Sequence, residues 1–327
     1  MRPHNVLHKR GTRAAERGRS VVLRVRHSHG NGHDGPADRL LSESEHICQE
    51  ITRREARNFY WGFLALPRRQ RIAIYALYSF SRQVDDEVDL NGSASDDGKS
   101  GLETGLEQCR HQRARIAACY RGEPSDPVMT VLSDVVREYK IPEEELEALV
   151  RGVEMDLGTS RYETWDDLQA YCRLVASAVG RMCTRIFGYT DPIALTMADD
   201  LGLAMQVTNI LRDVREDSDL GRIYLPQEDL ARFGVSAVGL ASVEPGPGWP
   251  LLVEFERARA ETLFESGLRI VDYVPRRAAV CILTMSGMYR SILAKIAEDP
   301  SLPLRQRTSL RKRTKLKVML RSWLRAV

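Results

Sequence analysis

The sequence has few cysteines, and none at the spacing of a metal site. Its 327 residues include six cysteines and seven histidines, no CxxC pair occurs, and five of the histidines lie within the first 38 residues. Scattered cysteines of this kind argue against structural zinc and indicate free thiols in a reducing compartment. The start of the chain lacks the apolar core of a secretory signal, and no run of 18 apolar residues predicts a membrane span. We therefore expect a cytoplasmic protein.

Signals for β-strands are also weak, whereas long stretches without glycine or proline favour helices. No GxGxxG follows a strand, so a Rossmann-type dinucleotide site is not expected and NADPH is not predicted as a cofactor. With 43% hydrophobic and 28% charged residues, the composition is that of a globular protein. The fold class predicted is all-α. Helices are predicted at 42–63, 67–89, 102–120, 128–139, 142–158, 159–188 (after a short break), 191–217, 251–273 and 276–298.

Charge is distributed unevenly along the chain. Residues 1–40 hold nine basic side chains and three acids, and residues 305–327 hold nine basic side chains and no acid, so residues 41–304 keep 30 basic and 42 acidic side chains, a net charge of −12. An acidic body does not suit a nucleic-acid-binding domain, whose positive charge should lie on the folded face. We predict a disordered basic extension at 1–40, a helical domain at 41–304 and a basic amphipathic tail at 305–327.

The predicted tail carries apolar residues among its basic side chains. These are Leu310, Leu316, Val318, Met319, Leu320, Trp323 and Leu324. The mixture predicts peripheral attachment to an anionic membrane surface at the inner face of the membrane. A frayed basic tail is the alternative. The sequence leaves the oligomeric state open.

A regular acidic stripe precedes the stretch "GRIYLP" at 221–226. The polar residues are Gln206, Asn209, Asp213 and Asp217, offset by 3, 4 and 4 positions. Because each helical residue turns about 100°, their directions fall within a sector of roughly 80°. Stacked acids repel each other unless cations lie between them, and an all-oxygen donor set favours hard ions such as Mg²⁺. The stripe predicts a magnesium site, with Mn²⁺ as a possible substitute.

A second stripe lies about 120 residues earlier, in "SRQVDDEVD". It places Arg82, Asp85 and Asp89 at offsets of 3 and 4. The two stripes can share ions only if their helices run side by side, as in metal sites inside helical bundles. The alternative is a pair of solvated acidic faces. Apolar and aromatic residues precede both stripes, which favours polar groups at the rim of an apolar cavity.

Two acidic stripes above an apolar cavity fit a substrate with a diphosphate head and a hydrocarbon tail. Carboxylates do not bind diphosphate directly, but they hold Mg²⁺ ions that contact its oxygens. Cationic side chains complete such a site, and Arg82, Arg212 and Arg222 are candidates. Loss of diphosphate produces an allylic carbocation, which an apolar wall must protect from water.

Three segments resemble the squalene/phytoene synthase family. "YALYSFSRQVDDEVD" is similar to the first aspartate-rich region of that family, "NILRDVREDSDLGRIYLPQEDLARFGV" to the second, and "MDLGTSRYETWDDLQAYCRLVASAVG" to the segment between them. The resemblance covers residues 58–293. It implies a class I isoprenoid-synthase bundle around a central cavity. It also implies head-to-head coupling of two identical prenyl diphosphates with two or three Mg²⁺ ions.

The resemblance also implies roles for single residues. Asp85, Asp89, Asn209, Asp213 and Asp217 match metal ligands of the family. Arg82 and Arg212 match arginines that contact diphosphate, and Gln206 matches a polar residue beside the metals. Tyr171 matches a tyrosine that lines the reaction cavity, and Arg290 matches a late diphosphate contact. On this basis Tyr171, Arg82, Asp85 and Asp213 are the predicted catalytic residues.

The likeness also bears on the substrate. "SFSRQVDDEVD" and "VASAVGRMCTRIFG" are more similar to bacterial presqualene diphosphate synthases of hopanoid pathways, which couple two farnesyl diphosphates. A phytoene synthase that couples two geranylgeranyl diphosphates for carotenoids is the alternative. A terpene cyclase is less favoured because its NDxxSxxxE motif needs a serine that this chain lacks. A non-catalytic isoprenoid-binding or scaffold protein is a further alternative, although all five metal-motif positions are intact.

Overall fold

The computed structural model describes residues 36–56, 59–91 and 101–326, and it is mainly helical. At 36–39, 87–91 and 241–242 it describes the backbone alone. The helices are α1 (Pro36–Glu55), α2 (Phe59–Phe63), α3 (Arg68–Asn91), α4 (Gly101–Arg121), α5 (Pro127–Tyr139), α6 (Glu143–Gly158), α7 (Trp165–Cys172), α8 (Ala178–Phe187), α9 (Ile193–Asp219), α10 (Gln227–Arg232), α11 (Ala237–Ser242), α12 (Trp249–Gly267), α13 (Arg276–Glu298), α14 (Leu302–Arg305) and α15 (Lys312–Arg325). No strand occurs within these ranges, only one isolated bridge between Arg161 and Ile223. The predicted all-α class is confirmed.

Helix starts follow local chemistry that is legible in the sequence. Asp126 caps α5, where its side chain accepts hydrogen bonds from the backbone N–H groups of Val128 and Met129. Thr164 and Asp167 form a reciprocal capping box at the start of α7. These residues satisfy N–H groups that the first turn of a helix leaves without partners. They therefore fix where each helix begins and how it leaves the preceding loop.

Several predicted boundaries were wrong. The helix predicted at 42–63 is two helices, and the one predicted at 159–188 is α7, a π-helical turn (Arg173–Ser177) and α8. A 3-10 turn (Leu268–Asp272) ends the helix predicted at 251–273. α1 begins at Pro36, inside the predicted disordered extension, whose residues 1–35 lie outside the described residues. The loop predicted at 90–101 lies mostly outside them as well.

The predicted tail is part of the folded unit. α15 packs on α13, where Val318 lies so close to Gly287 that a Cβ on that glycine would come within 2.7 Å of the Val318 side chain. Leu310 and Ser322 are buried. The described residues form one compact unit from residue 36 to the C-terminal helix. The tail therefore differs from the separate segment that its charge predicts.

α9 is the central helix. It packs against α12, α8, the π-helical turn and α13. At Gly202 the backbone of the π-helical turn comes very close, since a Cβ on Gly202 would lie 2.7 Å from the Ser177 nitrogen. Only glycine allows two backbones to meet at this distance. The close approach places the second acidic stripe beside the segment that follows Tyr171.

One helix in the described ranges, α13, is long and apolar enough to span a membrane, contrary to the expectation from the sequence. However, 61% of its apolar stretch is buried inside the fold. Ile282 and Met285 of this helix line a cavity. Its apolar character is therefore explained by its position in the core.

Candidate active site

A cavity of about 310 Å³, partly open to solvent, lies among α2, α3, the π-helical turn, α8, α9 and α13. Its wall is mainly apolar. The apolar lining includes Phe59, Phe63, Leu77, Tyr78, Val179, Phe187, Leu201, Met205, Ile282 and Met285. Ala176 and Gly180 also line it, whereas their neighbours Ser177 and Ala178 are buried in helix packing. A wall of this kind suits a hydrocarbon chain.

Each of the two stripes contributes side chains to this cavity. Asp85 of α3 lines it together with Gln206 and Asn209 of α9. The amide nitrogen of Asn209 donates to the Gln206 side-chain oxygen at 3.1 Å. The Asn209 Oδ1 atom is buried and has no hydrogen-bond partner in the described residues. Such an atom is costly unless something binds it, and it is therefore available to a ligand.

One turn further along α9, Asp213 lies between two arginines. Arg212 is buried and forms a bidentate pair with the Asp213 carboxylate, with Nε 2.7 Å from Oδ1. Arg307, from the segment between α14 and α15, places its Nε 3.1 Å from the same Oδ1 and its Nη1 3.3 Å from Glu216. Two guanidinium groups at one carboxylate concentrate positive charge where a diphosphate would need it. Tyr289 lies beside Arg212, and burial raises the pKa of its phenol.

Asp217 is the last acid of the second stripe, and its negative charge is poorly compensated. Burial, together with the nearby charge of Asp213, raises the pKa of Asp217 to about 7, although Arg222 acts in the opposite direction. Gly221 adopts a φ of +77°, and the Arg222 backbone N–H donates to the Asp217 carbonyl at 2.8 Å. The glycine allows the chain to reverse immediately after α9. The turn thus brings Arg222 back towards the acid.

These residues fit a divalent cation. The donors are carboxylate and amide oxygens, which Mg²⁺ prefers, and both the orphan Asn209 oxygen and the raised pKa of Asp217 indicate a need for positive charge. In the described ranges no three Asp, Glu, His or Cys side chains converge closely enough to hold an ion by themselves. Amide oxygens and substrate oxygens would therefore have to complete the coordination. The side chain of Asp89, a predicted ligand, lies outside the described residues.

Seven predicted site residues with described side chains do not line the cavity: Arg212, Asp213, Asp217 and Arg222, placed above, and also Tyr171, Arg82 and Arg290. Tyr171 is buried outside its lining, and its hydroxyl donates to Asp156 at 2.8 Å. Arg82 is half-exposed and pairs with Asp86, one position along from the cavity-lining acid on α3. Arg290 pairs with Glu261 at 2.7 Å. Arg290 does not reach the cavity because its neighbour Tyr289 faces it, and successive residues of an α-helix point about 100° apart.

Sequence reasoning missed three residues at this site. Arg307 lies in the predicted tail, and no local pattern relates it to an acid 94 positions earlier. Tyr289 stands beside the predicted Arg290, and the apolar spacing of α13 indicates which of the two faces inward. Asp156 is the second residue of "MDLGTSRY", where the resemblance to a family concerns the segment as a whole and assigns no role to this carboxylate.

Comparisons with known proteins agree with this geometry. A sequence model of the squalene/phytoene synthase family matches residues 52–314. The phytoene synthase of Mycobacterium tuberculosis is 36% identical over 274 residues, which is 83% of this chain and 87% of that protein. The 15-cis-phytoene synthase of Synechocystis is 33% identical over 298 residues, or 88% and 86% of the two chains.

Solved structures show the same architecture. Squalene synthase HpnC from Alicyclobacillus acidocaldarius has a TM-score of 0.71 and 29% identity, covering 79% of this chain and 94% of its own. A dehydrosqualene synthase in complex with a ligand has a TM-score of 0.79 and 26% identity, covering 89% of this chain and 100% of its own. The predicted class I isoprenoid-synthase bundle is therefore confirmed.

Proposed function

The chain belongs to the squalene/phytoene synthase family and is a prenyltransferase, and we propose that it couples two identical prenyl diphosphates head to head in a Mg²⁺-dependent reaction. One observation carries the proposal. Asp85 from α3 and Asn209 from α9 line the same cavity, whose remaining wall is mainly apolar. Ion ligands and a hydrocarbon site thus lie together, as a prenyl diphosphate requires.

The ion ligands would come from both stripes. Asp85 and Asp89 on α3, and Asn209, Asp213 and Asp217 on α9, are the residues that would hold Mg²⁺. When bound, Mg²⁺ neutralises diphosphate oxygens and stabilises the negative charge of the leaving group. Gln206 orients Asn209 through their hydrogen bond.

Arginines would contact the rest of the diphosphate. Arg212 and Arg307 already lie at Asp213. Arg222 approaches from the turn after α9, and Arg82 lies one turn before Asp85 on α3. Their charge favours departure of diphosphate from the first substrate, because the negative charge on the leaving oxygen increases as its bond to carbon breaks.

The apolar wall protects the cationic carbon chain that remains. C1 of the first substrate then bonds to the C2–C3 double bond of the second, and loss of a proton closes a cyclopropane. Phe59, Tyr78 and Met205 line the cavity from three helices and exclude water from this step. Without such a wall the cation would be captured as an alcohol.

Two lengths of the prenyl substrate have support. The curated relatives at 33–36% identity are phytoene synthases, which favours two geranylgeranyl diphosphates and a C40 product. The motifs of the first stripe and of α8 favour two farnesyl diphosphates and presqualene diphosphate, as does the likeness to squalene synthase HpnC. We propose the geranylgeranyl reaction first and keep the farnesyl reaction as the second candidate.

Purified enzyme should make a coupled lipid from one of these substrates. We expect a C40 product from geranylgeranyl diphosphate or a C30 product from farnesyl diphosphate, identified by mass, with Mg²⁺ and with or without NADPH. EDTA should abolish the reaction and added Mg²⁺ should restore it. Turnover that persists in EDTA would contradict metal dependence. Release of cyclic C15 or C20 hydrocarbons would indicate a cyclase instead of a coupling enzyme.

We further propose that α15 contacts an anionic membrane surface. Leu316, Leu320 and Leu324 lie one turn apart, and Leu320 and Leu324 are 55% and 77% exposed. Basic side chains on the same helix are exposed as well, including Arg313, Lys317 and Arg321. Exposed leucines flanked by cations are typical of helices that lie in a membrane interface.

The double variant Leu320→Ser/Leu324→Ser should bind anionic vesicles roughly tenfold less than the parent in flotation, because less apolar surface enters the interface. Leu251→Ser is the matched control, since Leu251 is 65% exposed on α12. Truncation before α15 would be a poor test because the helix packs on α13. Equal flotation of parent and double variant would sink the membrane proposal.

A further inference from the structure

Asp156 near the end of α6 accepts hydrogen bonds from two tyrosines. The Tyr171 hydroxyl donates to Oδ2 at 2.8 Å, and the Tyr224 hydroxyl donates to Oδ1 at 2.9 Å. The rings of Tyr171 and Tyr224 stack with centroids 5.4 Å apart, and Tyr162 contacts both, at 5.3 and 6.0 Å. Together Asp156, Tyr162, Tyr171 and Tyr224 form what we call the tyrosine clamp.

The tyrosine clamp joins three segments that are far apart in the sequence. Asp156 belongs to α6, and Tyr171 lies on α7, two residues before the π-helical turn begins. Tyr224 belongs to the turn at 221–226 that follows α9. Two of these segments adjoin the candidate active site, since the π-helical turn that follows α7 lines the cavity and α9, which precedes the turn, carries the second stripe.

Backbone contacts hold the same turn in place. The Ile223 N–H donates to the Ser160 carbonyl at 3.0 Å, and the Gln227 N–H donates to the Tyr162 carbonyl at 2.9 Å. Arg161 adds a side-chain bond to the Gly221 carbonyl at 2.7 Å. The turn thus rests against the segment after α6. Among the side-chain contacts of Tyr224, the bond to Asp156 is the one that reaches α6 itself.

The electrostatics agree with this arrangement. Burial and the Asp156 charge raise the pKa of Tyr171 well above its usual value, so the phenol keeps its proton and donates. Burial and Asp156 act in the same direction on Tyr224. Hydrogen bonds from a phenol to a carboxylate are stronger than those between neutral groups, so the tyrosine clamp holds the three segments firmly together.

We propose that Asp156 is a positioning residue: through Tyr224 it fixes the turn after α9 and thereby sets Asp217 and Arg222 for cation and diphosphate. The inference rests on the proposed function. It gives the conspicuous "GRIYLP" stretch a physical purpose. The glycine permits the reversal, the arginine returns to the last acid of the stripe, and the tyrosine locks the turn onto α6.

A simpler alternative is that Asp156 acts only through its charge, since it also lies close enough to influence Asp217. The two ideas differ for Tyr224→Phe. That variant keeps the Asp156 charge and removes one hydrogen bond. Positioning predicts weaker cation binding in both Tyr224→Phe and Asp156→Asn, whereas a pure charge effect predicts weaker binding only in Asp156→Asn.

The experiment measures free Mn²⁺ by electron paramagnetic resonance in titrations of the full-length protein, alongside the Mg²⁺ concentration that gives half-maximal turnover. We expect both variants to bind Mn²⁺ about tenfold more weakly, as loss of a charge-assisted hydrogen bond allows. High Mg²⁺ should restore much of their turnover. Tyr120→Phe is the matched control, because Tyr120 lies on α4, away from the site, and its partly buried hydroxyl donates to the Ile141 carbonyl at 2.8 Å.

Binding by Tyr224→Phe that equals the parent would overturn the positioning role, and so would a loss of turnover that added Mg²⁺ does not relieve. If Asp156→Asn does not fold, Tyr224→Phe decides alone. A parent protein that binds no Mn²⁺ and makes no product would overturn the proposed function and this inference with it. A parent that binds, next to variants that bind equally well, would overturn this inference only.

Discussion

Asp85→Asn and Asp213→Asn should each lower turnover at least about a hundredfold, with helix content unchanged. Each substitution removes a charge that would hold a cation at the diphosphate, while keeping the size of the side chain. Asp213→Asn also removes one of the two oxygens that accept from Arg212, together with the negative charge of the pair. The Arg212 guanidinium, no longer paired with a carboxylate, cannot substitute for Mg²⁺. We therefore expect excess metal to rescue this variant poorly.

The measurement is single-substrate turnover with circular dichroism as the check on folding. Asp219→Asn is the matched control, because Asp219 ends the same helix but is exposed and pairs with Arg215. Its turnover should stay near that of the parent. Activity within twofold of the parent in either stripe variant would contradict the ligand assignment.

The acidic stripes were predictable because helical periodicity acts over short distances. The spacing of Gln206, Asn209, Asp213 and Asp217 places them on one face of any regular helix. Periodicity does not say which helices are neighbours. Apolar residues before both stripes favour a shared cavity and the resemblance to a family implies one, and the lining by Asp85, Gln206 and Asn209 confirms that α3 and α9 share it.

Features that depend on contacts between distant segments were missed. The π-helical turn at 173–177 has ordinary helical residues, and its geometry accompanies the close backbone approach at Gly202. Arg307 reaches Asp213 because α14 and α15 pack onto the bundle, whereas a basic segment without acids looks unstructured in isolation. Composition describes a segment by itself and cannot include what it packs against.

Tyr171 shows a third kind of limit. The resemblance indicated the right segment, and the structure places its hydroxyl on Asp156, outside the cavity lining. Side-chain direction depends on the register of α7 and the π-helical turn, which a motif does not specify. A residue role that is implied by a resemblance should therefore be assigned only after the hydrogen-bond partner of each polar atom is known.

Asp217→Asn should raise the melting temperature of the metal-free protein at pH 8 while lowering turnover at least about a hundredfold. Burial and Asp213 raise the pKa of Asp217 from 3.8 to about 7. A raised pKa means that stability is fully present below pH 3.8 and is lost as pH rises through about 7. At pH 8 the native carboxylate is charged at a cost, with an upper bound of about 4 kcal/mol from the size of the shift. Asparagine avoids that cost.

Thermal unfolding in EDTA at pH 8 and pH 4 tests whether the Asp217 carboxylate lowers the stability of the metal-free protein. The variant should melt several degrees above the parent at pH 8, at about 2–4 °C per kcal/mol for a chain of this size, and the two should converge near pH 4. Added Mg²⁺ should stabilise the parent more than the variant, because binding to the native state adds stability only where the ligand remains. Asp219→Asn should show neither effect. An Asp217→Asn protein that melts at or below the parent in EDTA at pH 8 would show that the carboxylate is already compensated without a cation, and would remove the electrostatic reason for assigning an ion to this end of α9.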